Sequence, residues 1–322
     1  MIEFGPLKLE ASVNTTQNIE DYDCLIIGGG PAGLTAAIYL ARFHLSVLLV
    51  DGGRSRAAMI PVTHNHPGFS GGIAGSELLA RMRDQASLYG ARFDAGEVLS
   101  LKPEVGSLLV AKTAFHQWRA KTVLLATGVV NTRPKMAEAI HDEALARGLL
   151  RYCPVCDGYE VTDRRIGVIG TGEYGLREAE FLRSFTSNLS LISPDAPHQL
   201  DHSQCARAKS AGIELLDGPC FGYSLKPDLI EVSLPEGARA FASLYPALGT
   251  TIRSDLAVSI GADISDEGCP IVDRHQRTSV NGVYAAGDLL LGLDQICHAM
   301  GQASVAATSI RNDLAKIAPL RR

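Results

Sequence analysis

The chain has 322 residues, of which 46% are hydrophobic and 20% are charged, and its formal net charge is −5. This length accommodates two domains of ordinary size. The slight excess of negative charge argues against nucleic acid and against an anionic membrane surface as partners.

The cysteine content and the first residues indicate the compartment. Seven cysteines, an odd number without the spacing of a disulfide framework, favour a reducing compartment with one functional pair. We interpret residues 1–20 as a loosely docked extension, and they contain neither the basic nor the apolar region of a secretory signal. The uncharged stretch 24–41 has the length of a membrane span, but glycine and proline interrupt it. We expect a cytoplasmic protein with no membrane partner.

A glycine-rich loop follows the first predicted strand. Residues 23–27 are predicted as a short buried strand with the apolar run 25–27, Gly28-Gly29-Gly30-Pro31-Ala32-Gly33 comes next, and residues 34–43 have the pattern of a helix. A strand, a tight turn and a helix N-terminus in this order bind a pyrophosphate through backbone N–H groups and the helix dipole. The next strand, 45–50, ends at Asp51, roughly 20 residues beyond the loop, where an acid accepts hydrogen bonds from a ribose. The alternative for Asp51 is a turn residue.

The chain then changes from helical to strand patterns. Residues 77–89 have apolar side chains at helical spacing and predict an amphipathic helix, whereas residues 95–121 alternate in the manner of antiparallel strands. A short apolar strand over 122–125 ends in Ala126-Thr127-Gly128. Residues 131–134 have the composition of a linker.

A second strand, glycine loop and helix repeat the first unit. The strand 166–169 precedes Gly170-Thr171-Gly172-Glu173-Tyr174-Gly175, a helix is predicted over 176–185, and the strand 189–192 ends in Ser193-Pro194-Asp195. Short strands follow over 213–245, and a final helix is predicted over 302–315. Two such units predict an α/β protein with two Rossmann-like dinucleotide-binding domains.

Between the two glycine loops lies Cys153-Pro154-Val155-Cys156-Asp157. A Cys-x-x-Cys pair at a helix N-terminus has one thiol of lowered pKa, because the helix dipole and nearby amides favour the thiolate. Proline after the first cysteine suits the first helical turn. The alternative is half of a zinc site, but no second Cys or His pair has matching spacing, and we predict no metal. The sequence therefore favours a redox-active dithiol.

Together these motifs resemble the low-molecular-weight thioredoxin reductase family of flavoproteins, from about residue 22 to 314. The resemblance implies a discontinuous FAD domain, 1–133 and 248–322, interrupted by a smaller nucleotide and dithiol domain, 134–247. It also implies catalytic roles for Cys153, Cys156 and Asp157. The residues that it assigns to FAD binding are Gly28, Gly30, Pro31, Ala32, Gly33, Asp51, Ala126, Thr127, Gly128, Gly287, Asp288, Gln295 and Ile296.

The chain departs from the NADPH-dependent members of that family and resembles an atypical branch. Where those enzymes have a His-Arg-Arg run that neutralises the 2′-phosphate of NADPH, this chain has Ser193, Pro194 and Asp195. We therefore expect FAD as cofactor, no use of NADPH, and compatibility with NADH. Tyr174 replaces a small residue in the second loop, so that loop either binds a nucleotide or is a relic kept by strand-to-helix packing.

The resemblance implies a FAD-dependent thiol–disulfide oxidoreductase whose partner is a thioredoxin-like protein or a small dithiol or disulfide. Ferredoxin or another flavin donor, NADH and oxygen compete as electron partners, and family members that resemble this chain are homodimers. The alternatives are a dithiol oxidase and a non-catalytic redox-sensing flavoprotein. Two histidines, His64 and His66, are either an acid–base group near the flavin or polar loop residues.

Overall fold

The computed structural model describes residues 21–104, 106 and 108–320. The extension predicted over 1–20 lies outside the described residues. In the first part of the chain the elements are β1 (Asp21–Ile27), α1 (Pro31–Arg42), β2 (Val47–Asp51), α2 (Gly75–Leu88), β3 (Arg92–Ala95), β4 (Ser100–Glu104), β5 (Leu108–Lys112), β6 (Gln117–Leu125) and β7 (Val129–Asn131).

The middle and last parts of the chain contain the remaining elements. In the middle these are α3 (Glu138–Ala146), α4 (Pro154–Asp157), β8 (Ile166–Ile169), α5 (Gly172–Leu182), β9 (Leu189–Ile192), α6 (His202–Ser210), β10 (Glu214–Leu216), β11 (Gly222–Leu225), β12 (Ile230–Leu234), β13 (Gly237–Phe241) and β14 (Ser243–Pro246). The last are β15 (Thr250–Ile252), α7 (Asp255–Ser259), β16 (Val283–Ala285) and α8 (Ile296–Ile317).

The larger sheet has the order β3-β2-β1-β6-β5-β4, and β16 also pairs with β6. Pairing is parallel between β3 and β2, β2 and β1, β1 and β6, and β6 and β16. It is antiparallel between β6 and β5 and between β5 and β4. Side chains of β1 alternate between two cores: Ile26 packs with α1 and α8 on one face, and Leu25 and Ile27 pack with α7 on the other. Burial on both faces explains why β1 is almost wholly apolar.

The smaller sheet is parallel throughout, in the order β10-β9-β8-β14. One of its faces is covered by α5 and α6, and the other packs against α3 and the antiparallel sheet β11-β12-β13. Each of the two sheets therefore has its own pair of hydrophobic cores. This is the predicted α/β arrangement of two Rossmann-like domains, the larger interrupted by the smaller.

The chain passes between the two sheets through β7 and β15, which pair antiparallel from Asn131 with Thr250 to Val129 with Ile252. The domain boundaries predicted after residues 133 and 247 lie next to these strands and stay a prediction. Among the residues that the structure describes, none of the helices combines the length and the apolar character needed to cross a membrane.

Most predicted elements are present, with shifted ends. Strands β8 and β9 have the predicted bounds, α1 begins three residues before its predicted start at Leu34, and β2 includes Asp51. The final helix, predicted over 302–315, is longer at both ends, since α8 covers Ile296–Ile317. Its N-cap, Gln295, is the last residue with extended backbone before it. Three helices, α3, α6 and α7, were not predicted, since nine or fewer residues with few buried side chains leave little apolar periodicity.

Candidate functional site

The first glycine loop joins β1 to α1 and leaves no room for side chains at two positions. A Cβ on Gly28, whose φ is +115°, would lie 2.2 Å from the Ala126 carbonyl oxygen. A Cβ on Gly33 would lie 1.9 Å from the carbonyl oxygen of Gly28. Gly30 precedes Pro31 at the start of α1 and has no side-chain cap. The loop thus brings the first N–H groups of the helix to a cavity wall, the arrangement that binds a pyrophosphate.

Asp51 stands beside this loop at the carboxyl end of β2. Its Oδ1 accepts hydrogen bonds from the backbone N–H groups of Gly29, at 3.2 Å, and Gly53, at 3.1 Å. Both contacts fix the carboxylate at the edge of the cavity. This position agrees with the predicted contact to a ribose and equally satisfies the turn at Gly53.

A cavity of about 690 Å³ runs from the loop along the carboxyl ends of the larger sheet to the cysteine pair. Of the residues predicted for the site, all of which the structure describes, only Gly33 stands behind the wall, where its closeness to Gly28 explains the glycine. The lining residues from the prediction are Gly28, Gly30, Pro31, Ala32, Asp51, Ala126, Thr127, Gly128, Gly287, Asp288, Gln295, Ile296, Cys153, Cys156 and Asp157. The elongated cavity and its glycine cradle fit a dinucleotide such as FAD.

An arginine lies between two carboxylates in this cavity. Arg56 Nη1 is 3.2 Å from Asp288 Oδ2 and 2.6 Å from Asp294 Oδ2. Burial raises the pKa of Asp288, the charge of Asp294 adds to the rise, and Arg56 opposes it. The arginine therefore keeps two neighbouring acids together, and it brings a cation to the cavity beside the predicted cofactor residue Asp288.

Cys153 and Cys156 form a disulfide at the start of the short helix α4. Cys153 is the N-cap, its Sγ accepts a hydrogen bond from the Cys156 N–H at 3.2 Å, and Pro154 occupies the first helical turn as predicted. Both cysteines are partly exposed and line the cavity wall. The pair is therefore placed for exchange with a ligand in the cavity.

Two carboxamide side chains contact this disulfide turn from the opposite wall. Gln295 Nε2 lies 3.2 Å from Cys153 Sγ and 3.1 Å from Cys156 Sγ. Asn65 Nδ2 donates to Gln295 Oε1 at 2.9 Å and approaches the Val155 carbonyl oxygen at 3.4 Å. Asn65 lies between β2 and α2, and Gln295 immediately precedes α8, so both belong to the part of the chain that forms the larger sheet. The cysteines come shortly before β8 of the smaller sheet, so these contacts join the two parts of the molecule at the cysteine pair.

Asp157 is held by a cation and a phenol. Arg151 Nη1 lies 3.0 Å from Asp157 Oδ2, and the Tyr245 hydroxyl donates to Asp157 Oδ1 at 2.9 Å. Burial raises the pKa of Asp157, and both the Arg151 charge and these hydrogen bonds oppose the rise. Burial also raises the pKa of Tyr245 well above its usual range, so this hydroxyl stays a donor. Arg151 and Tyr245 thus hold the carboxylate of the residue that follows Cys156 in the chain.

The second glycine loop has acidic side chains beside it. Glu173, in the first turn of α5, accepts hydrogen bonds from Arg207 and Arg177, which lower its pKa to about 2. Arg207 also pairs with Glu180 at 2.6 Å. Arg207 is the first arginine or lysine after Asp195 in the chain, and it is therefore engaged by carboxylates of α5.

Asp195 has a partner that the sequence analysis did not anticipate. Lys135 Nζ lies 2.5 Å from Asp195 Oδ1, and both side chains are largely exposed. The lysine reaches it from the segment after β7, far away in the chain, so a search of the residues after β9 misses it. It supplies one amine where the NADPH-dependent pattern has several arginines.

The two histidines of the segment 64–66 occupy different places. His64 lines the cavity, whereas His66 packs edge-on against Phe69 and has its Nδ1 3.0 Å from the Pro67 carbonyl oxygen. Their separation agrees with side chains on opposite sides of an extended segment. An acid–base role for His64 stays a prediction.

Several residues of the site were missed by reasoning from the sequence. Arg56 and Asn65 lie between β2 and α2, and Asp294 lies just before α8, outside the motifs that the sequence analysis used. Arg151 and Tyr245 belong to no motif: Arg151 contacts Asp157 from six positions before it in the chain, and Tyr245 contacts it from β14, 88 positions after it.

Comparison with known proteins identifies the relatives of this chain. A family model described as pyridine nucleotide-disulphide oxidoreductase matches residues 22–303. The thioredoxin reductase of Aquifex aeolicus (strain VF5) is 31% identical over 309 residues, 89% of this chain and 89% of the relative. The solved thioredoxin reductase of Streptococcus pyogenes MGAS5005 is 26% identical, with a TM-score of 0.83 over 92% of this chain and 99% of that one.

A further solved structure, the atypical thioredoxin reductase TRi from Desulfovibrio vulgaris Hildenborough, is 28% identical, with a TM-score of 0.53 over 93% of this chain and 100% of that one. The matches cover both sheets and the cysteine pair between the two glycine loops. The chain therefore belongs to the pyridine nucleotide-disulphide oxidoreductase family and is a flavin disulfide oxidoreductase of the thioredoxin reductase type.

Proposed function

We propose that this protein moves two electrons between FAD and a partner through the Cys153–Cys156 disulfide, with an electron donor other than NADPH. The observation that supports this most directly is the position of the disulfide, on the wall of the cavity that also contains the first glycine loop. An enzyme that couples a flavin to a disulfide needs both groups in one space. The FAD-binding residues in this proposal are the individual residues predicted from the sequence, of which Gly28 is the first and Ile296 the last.

The protein residues have separate tasks in this proposal. FAD, when bound, would supply the two-electron chemistry. Cys153 exchanges with the partner: a partner thiolate attacks its sulfur, the bond to Cys156 breaks, and Cys156 leaves as a thiolate. Asp157 carries the proton that this exchange requires, and Arg151 and Tyr245 hold it in place.

The proposed exclusion of NADPH rests on the charges around β9. A 2′-phosphate at the end of this strand would meet Asp195, with only Lys135 nearby, while Arg207 is engaged by Glu173 and Glu180. Each charge-assisted hydrogen bond that is missing there loses about 1.5–3 kcal/mol. Two missing bonds weaken NADPH binding by roughly two to four orders of magnitude. NADH lacks the 2′-phosphate, so this penalty does not apply to it.

We place the chain in the atypical branch, because the basic run after β9 is missing and because a solved relative described as an atypical thioredoxin reductase covers the same length. The proposed partner is a thioredoxin-like protein or a small dithiol or disulfide, with ferredoxin as a candidate donor. A cytoplasmic location agrees with five free cysteines beside the single pair. A homodimer is proposed from the family resemblance, and light scattering of the purified protein tests it.

An anaerobic absorbance titration tests this function. Purified protein containing FAD is mixed separately with reduced ferredoxin, a small dithiol, NADH and NADPH. We expect stoichiometric flavin reduction by ferredoxin or the dithiol, far slower reduction by NADPH, and NADH between them. Rapid, stoichiometric reduction by micromolar NADPH would contradict the proposal.

Two further measurements sharpen the result. An Asp195→Arg variant places a cation at the end of β9, so it should bind NADPH more tightly than the wild type while its response to the dithiol is unchanged. Admitting air after reduction by the dithiol separates the alternative of a dithiol oxidase, which would reoxidise rapidly and consume the dithiol in many turnovers. A non-catalytic sensor would instead undergo a single turnover.

A further inference from the structure

A series of contacts runs from Asn65 through Gln295 to the disulfide. It gives a role to the segment 64–66, which the sequence left open. Thr63 is buried, and its hydroxyl donates to Asn65 Oδ1 at 2.9 Å. Its backbone pairs with Ile73 in both directions. Asn65 is thus fixed at its oxygen, which leaves its Nδ2 to face Gln295 and Val155. The side chain between the two histidines, rather than either histidine, reaches the cysteine pair.

Both contacts determine the orientation of the Gln295 amide. Because Asn65 Nδ2 donates to Gln295 Oε1, the Nε2 of Gln295 must be the end that faces the sulfurs. That nitrogen carries two hydrogens, and it lies 3.1 and 3.2 Å from the two sulfur atoms. A disulfide sulfur is a weak acceptor, whereas a thiolate at the same place is a charged one. The same amide therefore interacts more strongly with the reduced pair than with the oxidised pair.

We propose that Asn65 and Gln295 form a carboxamide clamp that positions the Cys153–Cys156 turn and raises its reduction potential by hydrogen-bonding the thiolate of the reduced pair. This inference rests on the proposed redox role of the disulfide. Neither amide titrates, so the clamp acts at every pH at which a thiolate is present. Asn65 and Gln295 are positioning residues, since electrons and protons pass through neither.

The relevant equilibrium can be measured with a small dithiol. The sulfurs of the dithiol join to form its disulfide, the Cys153–Cys156 bond breaks, and two electrons and two protons pass to the protein. One of the two new thiols then releases its proton to solvent. The ionisable groups that line the cavity around the pair are Arg151, Tyr152, Asp157 and Glu160 on its own side and His64 and Asp294 on the facing side. All of these are unchanged in the variants below.

The experiment is a redox titration of FAD-loaded protein in buffers of fixed dithiol-to-disulfide ratio, with the dithiol state read by alkylation and mass. Gln295→Leu should lower the equilibrium constant for reduction about tenfold, which corresponds to about 30 mV for two electrons. Gln295→Glu should lower it further, because a carboxylate cannot donate and repels the thiolate. Asn65→Ala should fall between wild type and Gln295→Leu, since Gln295 keeps its amide but loses its orientation.

The thiolate absorbance supplies an independent readout, because its pH midpoint should rise by about one unit in Gln295→Leu. Gln85→Leu, an exposed glutamine on α2, is the matched control and should titrate as the wild type. Variants that keep the wild-type constant within threefold, with unchanged pH midpoints, would overturn the clamp. If Gln295→Leu does not fold, Gln295→Glu and Asn65→Ala decide. A wild-type disulfide that no dithiol ratio reduces would instead overturn the proposed function.

Discussion

Replacing Arg151 by methionine removes the cation that faces Asp157 while keeping a side chain of comparable length. The two charged groups are 3.0 Å apart, and each side chain is only 20% exposed. A hydrogen bond to a charged group contributes about 1.5–3 kcal/mol, and one pKa unit corresponds to about 1.4 kcal/mol. Arg151 favours the ionised carboxylate, so its removal should raise the pKa of Asp157 by roughly one to two units.

The assay is the pH dependence of flavin reduction by a small dithiol in a stopped-flow instrument. If ionised Asp157 accepts the thiol proton, the rate rises with pH through its pKa, and the acidic limb of Arg151→Met should move to higher pH by roughly one to two units. The plateau should change little. Arg177→Met, which removes an exposed pair with Glu173, is the control. An unmoved limb in Arg151→Met protein with full FAD content would refute the assignment of the acid.

Three further changes have defined outcomes. Cys156→Ser should leave Cys153 able to trap a mixed disulfide with the partner, detected by mass without reductant, and unchanged turnover would exclude the dithiol. Gly33→Ala should lose bound FAD and about 1–3 kcal/mol of unfolding free energy, whereas Gly301→Ala, where a Cβ meets no atom within 4 Å, should keep its FAD. Asp313→Asn should reduce stability by about 1 kcal/mol at pH 7 and by clearly less at pH 2 in urea unfolding. The reason is that its arginine partner lowers the pKa of Asp313, and that contribution is lost as pH falls.

The sequence predicted the features that local patterns determine. Apolar runs that are buried on both faces gave the strands β1, β8 and β9, and glycines placed both loops between strand and helix. Pro154 indicated the first turn of a helix directly after Cys153, and α4 begins there. These signals lie within a few residues of one another, so chain order alone reveals them.

The remaining features depend on contacts between distant segments. The Asn65 and Gln295 amides are 230 positions apart, and Arg56 is 232 positions from Asp288. No periodicity connects such residues, and each is an ordinary polar side chain in its own segment. The same reason hid Lys135, which lies 60 positions before Asp195 in the chain but beside it in the fold.

The pairing of β16 with β6 has a consequence for how the protein is made. On one side Val123, Leu124 and Leu125 of β6 pair with β1, but on the other they pair with β16, which is synthesised only after the whole smaller sheet. During synthesis, β6 therefore exposes an unpaired, apolar strand edge until β16 has been added to the chain. Unpaired edges of this kind invite association with other chains. Slow translation or truncation before residue 283 should thus produce aggregation rather than a stable shorter protein.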